Sequence, residues 1–186
     1  MLPYRADWGK GYRESIDFIA MLNGLGNWGE YRLIVTRQEN NDFAEVDFYE
    51  SLNHYAMKKN VIIEYLPWQN EDGMNSLYNK CDFVLSLGCL EEGFGLTTIE
   101  AIAAGRYIIS RRKGATVSIL PENSGIIFAN ENMSVSEVSR IMEEYSKALE
   151  QNEVMNGINY INNNYDISAM QKRYDEYVSR ILSELN

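Results

Sequence analysis

Short apolar runs alternate with amphipathic segments along this chain, and that alternation is typical of strands followed by helices. One run, Val61-Ile62-Ile63, is continuously apolar, which indicates a strand buried on both faces of a parallel sheet. In a segment nearer the start, Ile16, Ile19 and Ala20 recur near helical spacing. Strands joined by helices form right-handed βαβ units, so the pattern predicts an α/β fold, a doubly wound parallel sheet of the Rossmann-like type.

The predicted elements run from one end of the chain to the other. The strands begin with a stub at residues 2–4 and continue at 31–36, 61–65, 82–87, 107–110 and 125–128. The helices are 11–25, 43–58, 72–78, 97–104, 153–163 and 167–184, together with one that begins at the capping box Ser134-Val135-Ser136-Glu137 and runs to about 151. Gly105 is expected to end the helix at 97–104. Ligands of such sheets bind beyond the carboxyl ends of the strands.

Composition and charge argue against two classes of protein, those that span a membrane and those that bind nucleic acid. The 186 residues are enough for one domain, and no apolar run is long enough to cross a membrane. The formal net charge of −10 argues against a nucleic-acid partner, because such binding depends on clustered Lys and Arg. Cys81 and Cys89 bracket a predicted strand, too far apart to be bridged, so we expect reduced thiols in a cytoplasmic protein.

One glycine-rich string is a false match to the dinucleotide-binding fingerprint. Residues 24–29, Gly-Leu-Gly-Asn-Trp-Gly, fit the G-x-G-x-x-G spacing. The fingerprint requires a strand before it and a helix after it, whereas here a predicted helix precedes it and a predicted strand follows. We therefore interpret the string as a helix end and a loop.

The most informative segment is the one at residues 91–100, which joins the predicted strand 82–87 to the predicted helix 97–104. Its turn carries Gly93 and Gly95, and a carboxylate flanks each side, Glu92 before the glycines and Glu100 on the helix. Free amides and the positive end of the helix dipole at such a corner form an anion site. Fixed acceptors beside a phosphate cradle suit a ligand with phosphates and sugar hydroxyls, such as a nucleotide-sugar.

Residues 92–105 resemble the signature of the family 4 glycosyltransferases, retaining enzymes of the two-domain GT-B architecture. The resemblance extends to Arg5 and Lys10-Gly11, which match the family's Gly-Arg…Lys-Gly pattern after its first strand, although Tyr4 replaces the first glycine. It also extends to the strands at 107–110 and 125–128. It therefore covers nearly the whole chain.

The resemblance implies a domain organisation and partners. Residues 1–186 are expected to be the C-terminal, nucleotide-sugar-binding domain, closed by helices at about 153–185, with the N-terminal acceptor domain absent. The complete enzyme would transfer a hexosyl group from a UDP- or GDP-sugar, with retention, to a carbohydrate or lipid-linked acceptor. It would act in the cytoplasm or at the inner face of the membrane, in polysaccharide or glycolipid biosynthesis.

The resemblance also implies roles for individual residues. The expected catalytic residues are Arg5 and Lys10, which would hold the diphosphate, and Glu92, which would contact the transferred sugar. Two cations at the leaving group suit the chemistry, because they stabilise the negative charge that develops there. No Asp-x-Asp motif is visible, so no metal and no cofactor are expected. The expected donor-binding residues are Gly93, Phe94, Gly95, Leu96 and Thr97 through their amides, Glu100 at the ribose, and Leu66 beside the base, in a loop with Pro67 and Trp68.

Some alternatives stay open at this point. Trp68 could equally pack in the core. The departures at Tyr4 and at Val117, which takes the place of a family acid, allow a non-catalytic nucleotide-sugar-binding module. The third class is a sugar-nucleotide epimerase or a phosphorylase of the same architecture. The basic cluster at Arg111, Arg112 and Lys113 follows a predicted strand and is hypothesised to receive an anionic acceptor or a membrane surface; a solvated loop is the alternative.

Overall fold

The computed structural model describes residues 1–37, 43–69, 71–90 and 94–184. Within them the strands are β1 (Leu33–Arg37), β2 (Ile63–Pro67), β3 (Phe83–Ser86), β4 (Tyr107–Arg111) and β5 (Ile126–Ala129). The helices are α1 (Tyr12–Leu25), α2 (Phe43–Lys58), α3 (Glu71–Tyr78), α4 (Leu96–Ala103), α5 (Val135–Glu150), α6 (Glu153–Asn164) and α7 (Ile167–Glu184). The elements predicted from the apolar pattern are therefore confirmed, with bounds that differ by about two residues or fewer.

All strand pairs are parallel, and the N-terminal stub, residues 1–3, joins two groups of strands. β1 pairs with β2, and β4 lies between β3 and β5. The Leu2 amide donates to the carbonyl of Ile34, at 2.8 Å, and Met1 bonds to Phe83 and Leu85 on the other side, at 2.9 Å each. The resulting order is β2-β1-stub-β3-β4-β5, so the direction of winding reverses at the stub, and the crevice at that reversal is where such sheets bind ligands.

The core lies on both faces of the central strands. β3 and β4 are buried except for the residues at their carboxyl ends, because helices cover both faces of the sheet there. β2 is different, since it is at the edge of the sheet and is only partly covered. The prediction that Val61-Ile62-Ile63 is buried on both faces is wrong for Ile62, which is 49% exposed and precedes the strand.

The ends of the helices follow the local sequence with one exception. Gly26 ends α1 in the left-handed region, which confirms that residues 24–29 are a helix end and a loop. Gly105, with a φ of 73°, follows the end of α4 as expected. At α5 only half of the capping box forms. The Glu137 amide donates to the Ser134 hydroxyl, but the Glu137 carboxylate accepts from Asn130 and pairs with Arg140 instead of returning to Ser134.

The C-terminal helix α7 carries an apolar stripe that is exposed along its length. Its members recur at helical spacing and are Ile167, Met170, Tyr174, Tyr177 and Ile181. In the described part of the chain, no helix combines the length and apolarity needed to cross a bilayer. Both cysteines are free thiols, as expected, with Cys81 buried and Cys89 exposed.

Candidate functional site

Two loops meet beyond the carboxyl edge of the sheet, where the winding reverses. The loop after the stub presents the Gly9 carbonyl, which accepts from the amides of Cys89, at 3.1 Å, and Leu90, at 3.4 Å, in the loop after β3. A Cβ atom at Gly88 would lie 2.3 Å from the Gly9 oxygen, and one at Gly11 would lie 2.4 Å from the Gly88 nitrogen. Gly11 also has a φ of 87°. Backbones this close require glycine on both sides, so the two loops are fixed against each other.

Side chains hold the first of these loops in one conformation. Asp7 accepts from the Gly9 amide at 2.8 Å and caps the short turn Trp8–Lys10. The buried Tyr12 hydroxyl donates to the Tyr4 carbonyl at 2.7 Å. The Lys10 ammonium lies 5.6 Å from the centroid of the Tyr4 ring. Lys10 is thus presented from a turn that Asp7 caps, in a loop whose first residue, Tyr4, is bonded by Tyr12.

Lys10 lines a narrow depression that we call the cationic pocket. Its volume is about 10 Å³, and its charged lining residues are Lys10, Arg111 and Lys113. Arg111 is the last residue of β4, and its Nη2 donates to the Glu131 carbonyl at 3.4 Å. The Arg111 Nε is buried and, within residues 1–37, 43–69, 71–90 and 94–184, has no hydrogen-bond partner. Lys113 is half-buried and lies 3.9 Å from the exposed Glu131 carboxylate, a long and therefore weak pair.

A second, wider depression lies beside α4 and is called here the Glu100 groove. Its volume is about 700 Å³, and its lining includes Trp68, Tyr78, Leu96, Thr97 and Glu100. The Tyr78 hydroxyl donates to Glu100 Oε2 at 2.8 Å, while Tyr78 itself is only 1% exposed. Burial, and secondly the Glu100 carboxylate, raise the pKa of Tyr78, so the hydroxyl keeps its proton and remains a donor. Glu100 is therefore an acceptor held in a fixed orientation.

Helix α4 begins at the wall of this groove. Gly95, with a φ of 77°, is its N-cap residue and supplies no side-chain hydrogen bond to the first turn. The amides of Thr98 and Ile99 bond to the Gly95 carbonyl, at 2.9 and 3.2 Å. Leu96 and Thr97, at the start of the helix, line the groove. The positive end of the helix dipole thus lies next to the Glu100 groove, where it favours an anionic group.

The structure brings some of the predicted site residues together and separates others. Leu96, Thr97 and Glu100 share the groove, and Lys10 lines the cationic pocket. The two depressions lie on either side of one stretch of backbone, since Pro3 lines the groove and Tyr4 lines the pocket.

The other predicted residues occupy different places. Arg5 is exposed and lines neither depression, whereas Gly95 is buried at the start of α4. Phe94 is exposed, with its ring 6.0 Å from that of Tyr165. Leu66 is half-buried on β2, in register with Thr36. Glu92 and Gly93 lie outside the described residues.

Three features of the site were predicted from the sequence only in part or not at all. Tyr78 gives no signal, because a tyrosine at the end of a helix is ordinarily part of the core. For Trp68 the sequence allowed either packing in the core or contact with a ligand. The side chain is 37% exposed and lines the groove, and the Trp68 amide donates to the Arg37 carbonyl at 2.8 Å. Arg111 and Lys113 were placed on the ligand side of the sheet, but nothing in the sequence indicated that they would share a depression with Lys10.

A family model and several solved structures match this chain. The model described as glycosyl transferases group 1 matches residues 30–144. Among curated proteins, none matches the sequence. The structure of HepE from Anabaena, in complex with UDP, superposes with a TM-score of 0.74 at 16% identity, over 95% of this chain and 47% of HepE. Sucrose-phosphate synthase from Thermosynechococcus elongatus gives 0.72 at 16% identity, over 97% of this chain and 44% of that protein.

A shorter solved structure is matched along most of its length. It is the C-terminal domain of LpcC, a glycosyl transferase group 1 family protein from Francisella tularensis, with a TM-score of 0.65 at 20% identity, over 87% of this chain and 82% of that domain. By contrast, the chain spans about half the length of HepE and of the synthase. At these identities the likeness shows the fold, a Rossmann-like domain of the kind found in GT-B proteins.

Proposed function

The chain belongs to the glycosyl transferases group 1 family, and we propose that it is the donor-binding domain of a glycosyltransferase that moves a hexosyl group with retention. In this proposal the domain binds a nucleotide-diphospho-sugar, and a second domain supplies the acceptor site. The acceptor is a carbohydrate or a lipid-linked saccharide. HepE, a structural neighbour, has been solved with UDP and with UDP-glucose, which supports a uridine nucleotide as the first donor to test.

The observation that carries the proposal is the carboxylate held at the wall of a roomy groove. Glu100 Oε2 accepts from a tyrosine that is itself buried, so the carboxylate does not have to be ordered when a ligand arrives. A ribose offers two neighbouring hydroxyls to such an acceptor. Trp68 lines the same groove and presents an aromatic ring on which a base can stack. Leu66, on β2 just before it, is proposed to contact the base as well.

The diphosphate is proposed to cross the Pro3-Tyr4 backbone toward Lys10. The negative charge on the leaving group grows as the glycosidic bond breaks, and a fixed cation stabilises that charge more in the transition state than in the ground state. Lys10 is fixed by its anchored turn, while Arg5 would approach the same group from the solvent side. These side chains are proposed to take the role that a metal ion has in other phosphate sites.

The turn before α4 is proposed to position the sugar and the phosphates. The amides of Phe94 to Thr97 would donate to them, as would that of Gly93, and Glu92 would accept from the hydroxyls of the transferred sugar. Two free thiols fit a reducing compartment, so the proposed location is the cytoplasm, at the inner face of the membrane if the acceptor is lipid-linked.

Calorimetric titration with UDP-glucose and with other UDP- and GDP-sugars tests the proposal. Glu100→Ala should weaken binding by roughly 1–3 kcal/mol, the usual loss for a charged hydrogen-bonding partner. Glu143→Ala is the matched control, because Glu143 is exposed on α5 and lines neither depression. If none of the nucleotide-sugars binds the wild-type chain, the proposal is wrong. Equal affinities of wild type and Glu100→Ala would remove the role assigned to Glu100.

A further inference from the structure

We propose that Lys10, Arg111 and Lys113 form one phosphate-binding site, which receives the diphosphate of the nucleotide donor. Arg111 and Lys113 are far from the Arg5–Lys10 segment in the sequence, and the family signature assigns them no role here. The assignment of the phosphate to the donor rests on the proposed function. The existence of an anion site at this pocket rests on the geometry alone.

The first argument is the local charge. Three cations from two loops, one after the stub and one at the end of β4, converge on a single depression that lies over the end of β3. Among its described lining residues there is no acid. The whole chain has a formal net charge of −10, so a concentration of positive charge here runs against the general trend of the molecule. An acidic protein that binds an anionic ligand needs such a local reversal of sign.

The second argument is an unsatisfied donor. The Arg111 Nε is buried and has no hydrogen-bond partner among the described residues, although another nitrogen of the same guanidinium bonds to the Glu131 carbonyl. A buried donor without a partner destabilises the folded state, because it has given up its bond to water. A phosphoryl oxygen in the pocket would supply that partner, and arginine can offer two parallel N–H groups to such an anion.

The third argument is size. With a volume of about 10 Å³ the pocket has room for one oxygen-sized group. Its wall includes Gly9 and Gly88, which have no side chains, so a ligand can approach the backbone there. A phosphoryl group can therefore sit at the mouth with one oxygen directed inward. The rest of the nucleotide would extend past Tyr4 and Pro3 into the Glu100 groove.

The fourth argument is selectivity within the basic cluster. Consecutive residues in an extended segment point to opposite sides. Accordingly, Arg111 and Lys113 line the pocket, but Arg112 does not: its guanidinium carbon lies 4.2 Å from the centroid of the Phe128 ring and lines a different groove. The cluster is thus not a uniform basic surface, and Arg112 is a control that the chain itself provides.

Calorimetry with UDP, uridine and inorganic pyrophosphate tests the inference. The double variant Arg111→Ala with Lys113→Ala should bind UDP and pyrophosphate at least about tenfold more weakly, because two charge-assisted contacts are lost. Uridine should bind both proteins equally, since it has no phosphate. Arg112→Ala should stay within about twofold of wild type for all three probes.

A second variant, Lys113→Gln, keeps the inference testable if the double variant does not fold. Lys113→Gln removes one charge from a side chain whose contact with the exposed Glu131 carboxylate is long, at 3.9 Å, so the fold should be unaffected. It should weaken pyrophosphate binding about threefold and leave the thermal unfolding temperature unchanged. Wild-type affinity for pyrophosphate in this variant and in the double variant would overturn the proposal.

The outcomes separate this inference from the proposed function. If UDP binds the wild type and the double variant equally, the pocket is not its phosphate site and the inference fails, while the proposed function stands. If pyrophosphate binding depends on Arg111 and Lys113 but neither UDP nor GDP binds the wild type, the proposed function fails and the anion site is upheld. If the variants weaken pyrophosphate but not UDP, the assignment to the donor is overturned.

Discussion

The Glu100 groove and the cationic pocket are neighbours that differ in size and in the chemistry of their linings. The groove is wide, about 700 Å³, and combines aromatic and aliphatic walls with one oriented carboxylate. The pocket is narrow, about 10 Å³, and combines glycine walls with three cations. Among the described residues none lines both depressions, but the consecutive residues Pro3 and Tyr4 line one each. The two depressions therefore suit the two chemically different halves of a nucleoside diphosphate.

The difference also lies in what supports each depression. The groove depends on side chains of α3 and α4 and on Trp68 just after β2, whereas the pocket depends on the contact between two loops. Separate supports mean that damage to one depression should leave the other functional. Uridine reports on the groove and pyrophosphate on the pocket, and this pair of probes can measure each region by itself.

The largest expected effect comes from Gly88→Ala, which breaks the support of the pocket. The new Cβ would lie 2.3 Å from the Gly9 oxygen and 2.8 Å from the Lys10 carbonyl carbon, and these backbone atoms cannot rotate away. We expect the free energy of unfolding in urea to fall by about 3 kcal/mol and pyrophosphate binding to weaken, with uridine binding retained.

The matched control for that substitution is Gly24→Ala. Apart from its chain neighbours and its own helix backbone, no atom in the described part of the chain lies within 4 Å of a Cβ at Gly24. Gly24 is inside α1, so alanine should leave stability unchanged or raise it by up to about 1 kcal/mol. Loss of uridine binding together with pyrophosphate binding in Gly88→Ala would show that the two depressions share one support and would break the comparison.

The second-largest effect is expected for Glu137→Gln, which should lower stability and leave ligand binding unchanged. Hydrogen bonds from Arg140, and secondly from Asn130, lower the pKa of Glu137 from its ordinary value of 4.5 to about 2. The carboxylate therefore stabilises the folded state above pH 4.5, and this stabilisation is lost as the pH falls toward 2. It amounts to about 2–3 kcal/mol. Glu137→Gln should lower the free energy of unfolding by that amount at pH 7 and remove the difference from wild type at pH 2.

Glu137 lines neither depression, so this variant also sharpens the comparison. Uridine and pyrophosphate should both bind folded Glu137→Gln with wild-type affinity. A change in either affinity would show that general loosening of the fold is enough to disturb the site.

The third effect is confined to the groove. Trp68→Ala should weaken uridine and UDP by about 1–2 kcal/mol if the base stacks on the indole, with no change for pyrophosphate. Stability should change little, because the side chain is partly exposed. Phe43→Ala is the control, an exposed aromatic residue at the start of α2 that lines neither depression. Unchanged uridine affinity in Trp68→Ala would place the base elsewhere.

The smallest effect is expected for Tyr78→Phe, which leaves Glu100 in place but releases its orientation. UDP and uridine should bind about 1 kcal/mol more weakly, the net value of one hydrogen bond. Because the pKa of Tyr78 is raised, the hydroxyl stays protonated, and the difference between wild type and variant should be constant from pH 6 to 9. A difference that disappears toward pH 9 would show that the hydroxyl ionises and that the orientation argument is wrong.

The sequence predicted the fold well because its signals are local. Apolar runs, the glycines after α1 and α4 and the Ser134 cap each act within a few residues, and the structure has these elements where they were expected. The errors come from tertiary context. Ile62 is exposed because β2 is an edge strand, and the Glu137 carboxylate prefers Arg140 to its own helix end.

For the candidate site, too, the sequence predicted what one local motif contains and missed what the tertiary structure brings together. Leu96, Thr97 and Glu100 belong to one continuous motif, and the structure places them in one groove. Tyr78, Arg111 and Lys113 reach the site from other strands and helices, so only the assembled sheet shows that they are neighbours. The close contact of Gly11 with Gly88 likewise joins two loops that are distant in the sequence.

The position of residues 1–3 has a consequence for the order in which the protein assembles during synthesis. These residues bond to β1 on one side and, across 82 positions of sequence, to Phe83 on the other. A ribosome delivers them before the other strands of this domain, yet their second neighbour exists only after β3 has emerged. Until then β1 and β2 can pair alone, and the edge that will meet β3 remains open to a wrong partner, such as another nascent chain.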